Sequence, residues 1–317
     1  MRNRIIESCK AWGADIVGFA PIERFPESSA VRRLMPDAKT VIGLGFRVLR
    51  GIYRGIEEGS TYYQYSTMAV ENLEETVMPM VSIRLAMMLE AEGFSALPQR
   101  KHQTIMAETD STNPEVNFND IYRGCTTEIQ MDFEEAAILT GIGERGLHGS
   151  VLTDEYGPFI RYCFVITDAE FDGSPIYEPH ICDGCGECVK ACPGKAISAG
   201  GEVNVWKCAA YYVGANGTKN PFMPSDAYSE FENRLDIISG EAEVDRRLAE
   251  AIIKNTYFYP AVQHSYASSI CGKACDIACY IHLEEKGVLT KKFKTPFRKR
   301  EEWHFDIGDF DKKNSDE

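Results

Sequence analysis

A chain of 317 residues with 44% hydrophobic content can bury a substantial core and has room for one large domain and a smaller one. Its net charge of −14 argues against a broad polyanion-binding face, and no run approaches the length of a membrane span. Eleven cysteines without an apolar signal core or twin-arginine leader point to metal binding in a reducing, cytoplasmic setting rather than to a disulfide framework.

In chain order, Ile5, Ile6, Cys9 and Trp12 recur at helical spacing, and Gly13 can stop that helix. Asp15 to Ala20 reads as a strand ended by Pro21, and Thr40 to Val48 as a second, largely buried one. From Tyr62 to Gly93 the pattern is helical with a break near Pro79; Met78, Met80, Met87 and Met88 read as adaptable core packing. Phe94 to Pro98 is a short strand candidate, followed by a polar connection through Asn119 that suits a lid or a substrate-facing loop. Asp132 precedes a helical stretch, Phe133 to Thr140, and is placed to cap it. Gly141-Ile-Gly143-Glu-Arg-Gly146 is formally a dinucleotide fingerprint, but a helix precedes it and a turn and strand follow, the reverse of what that site needs. Arg161 to Thr167 is a strong strand. Alternating strands and helices predict an α/β or α+β domain over residues 1–175, with Cys9, Cys125 and Cys163 packed among apolar neighbours.

The run Cys182-Asp-Gly-Cys185-Gly-Glu-Cys188-Val-Lys-Ala-Cys192-Pro193 has ferredoxin spacing, in which three thiolates hold one 4Fe-4S cube and the fourth reaches to a second. Structural zinc is the alternative that two-residue spacing also allows; four cysteines in one such run before proline favour the cube. Two cubes require eight thiolates, and Cys208, Cys271, Cys275 and Cys279 complete the count. The crossed logic of the motif groups Cys182, Cys185 and Cys188 with Cys279, and Cys192 with Cys208, Cys271 and Cys275. A cluster module over 176–290 is expected, with a helical insertion at about 214–263 whose ends must meet because ligands lie on both sides. Residues 291–317 read as a charged tail. Its basic run, Lys291 to Arg300, either contacts a nucleic-acid backbone or is simply solvated.

Gly141 to Gly149, continuing through Asp154-Glu-Tyr-Gly-Pro-Phe-Ile-Arg161 to Asp168, resembles the segment before the clusters in the cobalamin-dependent reductive dehalogenases and epoxyqueuosine reductases. The opening Trp12-Gly-Ala-Asp-Ile-Val-Gly-Phe19 and the order of the cysteines are similar too, so that the resemblance runs from Arg4 to His282. It replaces the nucleotide reading. It implies an α+β protein: a nitroreductase-like α/β domain that holds a corrinoid, then a ferredoxin-like domain with two 4Fe-4S clusters. Electrons would pass from an external donor of the ferredoxin or flavodoxin class to the second cluster, the first, and cobalt. Gly143, Gly146, His148 and Gly149 become the candidate cofactor contacts, with a surface turn as the bland alternative for His148. Asp132 becomes the candidate general acid, with Tyr162 and Arg161 as an alternative tyrosine-and-cation pair. Tyr280 after Cys279 and the long insertion depart from the family pattern. Three functions stay open: a corrinoid reductase of a small organic substrate in the manner of the dehalogenases, an electron-transfer protein without corrinoid, and a tRNA-modifying reductase similar to epoxyqueuosine reductase.

Overall fold

The computed structural model describes residues 1–100, 130–256 and 269–311. Cys125 and the polar connection from residue 101 onward lie outside them. The first half carries α1 (Arg2–Ala11), β1 (Ile16–Pro21), α2 (Ala30–Leu34), β2 (Thr40–Arg47), α3 (Arg50–Glu57), a π-helical stretch over Tyr65–Val77, α4 (Met78–Glu90) and β3 (Ala96–Gln99). Then follow α5 (Phe133–Leu139), β4 (Glu144–Arg145), β5 (Val151–Leu152), β6 (Ile160–Thr167), α6 (Glu187–Lys190) and α7 (Val205–Tyr212). The remainder is helical: α8 (Arg234–Ser239), α9 (Arg246–Lys254), α10 (Ala274–Glu285) and α11 (Gly308–Asp311).

The chain forms two compact units, one of Met1–Phe46, Glu74–Gly143 and Arg161–Tyr177, the other of Arg47–Leu73, Glu144–Ile160 and Glu178–Glu317. A boundary at 175 misses this interleaving, because Arg47–Leu73 and Glu144–Ile160 pack with the later residues.

The first unit is built on a sheet of order β1-β2-β6-β3. β1 pairs antiparallel with β2, from Ile16 opposite Gly45 to Pro21 opposite Thr40, and β3 with β6, from Ala96 opposite Thr167 to Gln99 opposite Phe164. β2 and β6 are buried almost throughout, as continuous apolar runs demand of central strands. The C-terminal end of α5 lies directly against the sheet: a Cβ at Gly18 would stand 2.0 Å from the Thr140 carbonyl oxygen, and one at Gly43 2.5 Å from the Thr140 hydroxyl. Only glycine fits there. The cap expected at Asp132 is present, its Oδ1 accepting from the Glu135 amide at 2.8 Å. Cys9 and Cys163 are fully buried, as their neighbours suggest. The methionine reading needs correction: Met78 is buried, but Met80 and Met87 are exposed, because α4 presents one face only to the sheet.

In the second unit the insertion folds around its own core, where Tyr211 meets Ala227, Tyr228, Ile237, Ile238 and Ile252. The described residues on either side of it meet: the Tyr212 carbonyl accepts from the amides of Ile270 at 3.1 Å and Cys271 at 3.3 Å.

The expected solvated tail is also corrected. Phe297 is fully buried, 5.8 Å from Phe159 and 5.6 Å from Tyr280, which stack on each other at 4.2 Å. The Arg54 guanidinium donates to the Phe297 carbonyl, Arg298 pairs with Glu57 at 2.5 Å, and Arg300 with Glu58 at 3.1 Å. An aromatic in the middle of the basic run therefore anchors the segment. Phe297→Ala should lower the unfolding free energy by about 3–5 kcal/mol, the cost of emptying a buried phenylalanine site. Chemical denaturation measures it; a loss below about 0.5 kcal/mol, typical of a surface change, would restore the solvated tail.

Candidate metal centre

The cysteine run begins in a turn and enters one helical turn. Gly184 and Gly186 both take positive φ, 71° and 78°, which bends the chain between Cys182, Cys185 and Cys188 before α6 begins. Cys188 and Cys192 then stand four residues apart around α6, and Cys275 and Cys279 four apart on α10, which packs against it.

Side chains four apart share a helix face one turn apart, so each helix offers one thiol to each of two neighbouring groups. Cys182, Cys185, Cys188 and Cys279 line one cavity, and Cys279 has the other three as electrostatic neighbours. Cys271 has Cys208 and Cys192 beside it, and Cys275 has Cys271 and Cys192. These neighbours fall into the two sets that the crossed grouping would need.

The donor chemistry fits metal. Burial pushes the Cys271 thiol up to about 12 and also raises those of Cys275 and Cys279. Such thiols stay protonated unless a cation takes the proton's place. Two backbone amides already point at sulfur, Leu147 N–H to Cys182 Sγ at 3.4 Å and Ala196 N–H to Cys192 Sγ at 3.3 Å, the kind of hydrogen bond that tunes a cluster's potential. Beside Cys192 and Cys271 the fold leaves a cavity of about 330 Å³.

The glycine-rich segment proves to be the hairpin β4-β5, with Glu144 opposite Leu152 and Arg145 opposite Val151. Its first residue, Glu144, was missed by sequence reasoning. Its carboxylate is buried and accepts three successive backbone amides: His180 at 2.7 Å, Ile181 at 3.0 Å and Cys182 at 2.7 Å. The available signal was a lone acid at a position flanked by Ile142 and Gly146, where a surface hairpin would have placed more polar residues.

His148, at the hairpin's tip, is neither a surface histidine nor free for a macrocycle. It is buried, its Nε2 3.0 Å from Asp276 Oδ1, and it lines the same cavity as Cys182, Cys185, Cys188 and Cys279. Burial alone would lower its pKa, but hydrogen bonds to Asp276 and Cys188 outweigh this and push it up to about 9. Gly146 and Gly149 shape the same tip, the Gly149 amide donating to the Gly146 carbonyl at 2.9 Å, while Gly143 is buried in the other unit.

Arg161 and Tyr162 do not form a pair. Adjacent strand residues face opposite sides of a sheet: Arg161 Nε donates to Glu74 at 2.6 Å, while the Tyr162 hydroxyl meets Glu134 at 3.2 Å. Asp132 is exposed at its cap rather than enclosed.

A family model for a 4Fe-4S binding domain matches residues 175–198. The epoxyqueuosine reductase of Bacillus cereus is 30% identical over 95 residues, covering 30% of this chain and 24% of that protein. The one of Prochlorococcus marinus is 34% identical over 93 residues, 29% of each chain. The match thus spans about a quarter of the length of these curated relatives. A catabolic reductive dehalogenase solved with 3-bromo-4-hydroxybenzoic acid superposes with a TM-score of 0.50 at 17% identity, over 79% of this chain and 33% of that one. The chain resembles the family of epoxyqueuosine reductases and reductive dehalogenases. Its fold is mixed α/β with a 4Fe-4S binding segment, and among the described residues no helix is long and apolar enough to cross a membrane.

Glu144→Ala should strip three amides of their acceptor, costing about 1–3 kcal/mol for each one left unsatisfied. Glu144→Gln keeps the oxygen that serves Ile181 and Cys182 and should cost clearly less. Thermal denaturation of the two variants ranks them; equal melting temperatures would show that the carboxylate does not hold the turn.

Proposed function

We propose that this chain is an iron-sulfur reductase with two 4Fe-4S clusters, one held by Cys182, Cys185, Cys188 and Cys279, the other by Cys192, Cys208, Cys271 and Cys275. The observation that carries it is the sorting of eight cysteines into two groups of four by α6 and α10. Such clusters supply one-electron transfer at low potential. The chain's own residues set the environment: the Leu147 amide of the hairpin reaches Cys182, Glu144 fixes the turn that presents it, and burial keeps Cys188 and Cys279 from water.

The epoxyqueuosine reductase-like alternative is the better supported of the enzymatic readings. The curated relatives carry that name, whereas the likeness to a dehalogenase is one of fold at 17% identity. A low-potential ferredoxin or flavodoxin would supply the electrons, and a corrinoid is the acceptor that the resemblance implies. His148 lies on the cysteine side, paired with Asp276, and Gly143, Gly146 and Gly149 remain the candidate corrinoid contacts. For a tRNA substrate the basic run offers less than its sequence suggests, because Arg298 and Arg300 are held by Glu57 and Glu58. Lys291, Lys294 and Lys299 remain exposed.

Anaerobically reconstituted protein should carry roughly eight iron atoms per chain, and Cys192→Ser or Cys275→Ser should each remove one cluster's worth. An unchanged iron content in either variant would strike that residue from the ligands. Incubation with reduced cobalamin should give a cobalt(II) electron paramagnetic resonance signal altered from that of the free cofactor; cobalamin behaving as it does free in solution would leave an electron-transfer protein. Replacing Lys291, Lys294 and Lys299 together should weaken salt-dependent tRNA binding if tRNA is the substrate, and leave it unchanged if it is not.

Asp132 is the proposed general acid, and its cap role can be separated from it. Asparagine caps a helix about as well as aspartate, so Asp132→Asn should keep the melting temperature while turnover falls by about 10²–10⁴-fold. Unaltered turnover would make Asp132 a cap only.

A further inference from the structure

Each of the two cysteine groups has one exposed member, Cys185 in the first and Cys208 in the second. Their surroundings differ. Beside Cys208 the surface is apolar: Val203, Val205 and Trp206, within four residues, are 36%, 65% and 39% exposed, the kind of patch that marks a contact with another molecule. The patch is held firmly. Ile197 and Val203 form a bridge, the Asn204 carbonyl oxygen of the side chain caps α7 by accepting from the Lys207 amide at 3.0 Å, and its side-chain amide donates to the Val244 carbonyl at 3.2 Å. The Arg246 guanidinium lies over the Trp206 ring, 5.2 Å from its centroid. In the segments that carry Cys185 and its group, residues 178–188 and 276–286, no large apolar side chain is exposed; Asp183 there takes His282 at 3.0 Å and Lys286.

Charge divides the two groups in the same way. Residues 189–212 and 269–275, which carry the second group, hold Lys190, Lys195, Lys207 and Lys273 against Glu202, four cations to one anion and a net +3. Residues 178–188 and 276–286 hold Glu178, Asp183, Glu187, Asp276, Glu284 and Glu285 against Lys286, one cation to six anions and a net −5. Lys190 and Lys195 pair with Glu187 and Glu241, but all four side chains are at least 43% exposed, so these pairs are weak and a partner's carboxylates can share the lysines. On a chain of net −14, an acidic protein is admitted at Cys208 and repelled at Cys185.

Resting on the two-cluster reading above, we propose that Val203, Val205 and Trp206 are the docking surface of an acidic flavin-carrying electron donor, a flavodoxin, placed at the exposed ligand thiol of the cluster of Cys192, Cys208, Cys271 and Cys275. An exposed ligand gives a donor's redox centre its shortest approach to that cluster, a feature that a redox protein needs and an RNA does not. The benzenoid edge of a flavin ring is apolar and suits a tryptophan and two valines, while the lysines around them suit an acidic rim. The reduced flavin gives up one electron, the cluster gains one, and no bond forms or breaks. Encounters of this kind bury less than about 1,200 Å², and a central tryptophan carries a large share of the binding.

Titration calorimetry of the reconstituted full chain with a purified flavodoxin measures the affinity, and stopped-flow absorbance the rate at which the reduced flavodoxin bleaches the clusters. Val205→Asp and Trp206→Ala should each weaken binding about tenfold or more and slow that rate. Iron content and the rate with dithionite, which is too small to need a docking surface, should stay at wild-type values. Val205→Asp puts an acid at the first position of α7, where the helix favours it, so it serves should Trp206→Ala fail to assemble. Met80→Asp, at an exposed apolar residue of the other unit, should change neither affinity nor rate. No binding of flavodoxin by the wild type, or wild-type affinity in both patch variants at full iron content, overturns the proposal. So does a patch that governs reduction by a ferredoxin but not by flavodoxin, one whose loss turns a dimer into a monomer with flavodoxin binding kept, or one whose loss abolishes tRNA binding alone. About four irons in the wild type would instead sink the two-cluster reading, and this inference with it.

Discussion

On the proposed ligand sets two helices serve two tetrads at once, and that constraint orders the second unit. Cys188 lies in α6 and Cys192 two residues past its end, and Cys275 and Cys279 stand one turn apart in α10, so a rotation of either helix would displace a thiol of each group together. Rotation is prevented from outside the motif. α10 is fixed by Tyr280, stacked on Phe159, and by Glu284, which takes Arg50 at 2.6 Å and the Phe297 amide at 2.6 Å. The run before α6 is fixed by Glu144. The cysteines can therefore keep their positions before any metal arrives, which lowers the ordering cost that metal binding would otherwise have to meet.

This explains why residues 47–73 and 144–160 belong with a module that begins more than a hundred positions after the first of them. α3 supplies Arg50 and Arg54 to the Phe297 segment, and the hairpin supplies Glu144, Leu147 and His148 to the cysteines. Each contributes a contact that a 24-residue cluster motif cannot make for itself.

What was legible in the sequence shares one property: its signal is local. Ferredoxin spacing, the alternation of buried strands, the cap at Asp132 and the wrong order of elements around Gly141 to Gly146 can each be read within a dozen residues. The misreadings are all non-local. His148 looks like a turn histidine until Asp276, 128 residues later, is brought against it. Arg161 and Tyr162 look like a pair in the chain, but the pleat separates them. Met80 and Met87 carry core composition, yet which face of α4 meets the sheet is decided by tertiary packing. Phe297 was hidden inside a basic run, where charge dominated the reading and a single aromatic carried the structure.

The same distinction bears on the substrate. Net charge and a lysine-arginine count are properties of composition, whereas a nucleic-acid face needs cations that are not already neutralised. Here Arg298 and Arg300 face Glu57 and Glu58 on α3 or at its end, so the acids that give the chain its negative balance are used to hold its basic segment. A partner that reads phosphate would meet Lys291, Lys294 and Lys299 on a strap fixed by Phe297, and not a freely moving tail. A fixed strap loses less entropy on docking than a mobile one. Three lysines would therefore have to act as a shaped patch, and recognition would depend on their spacing rather than on the charge of the run.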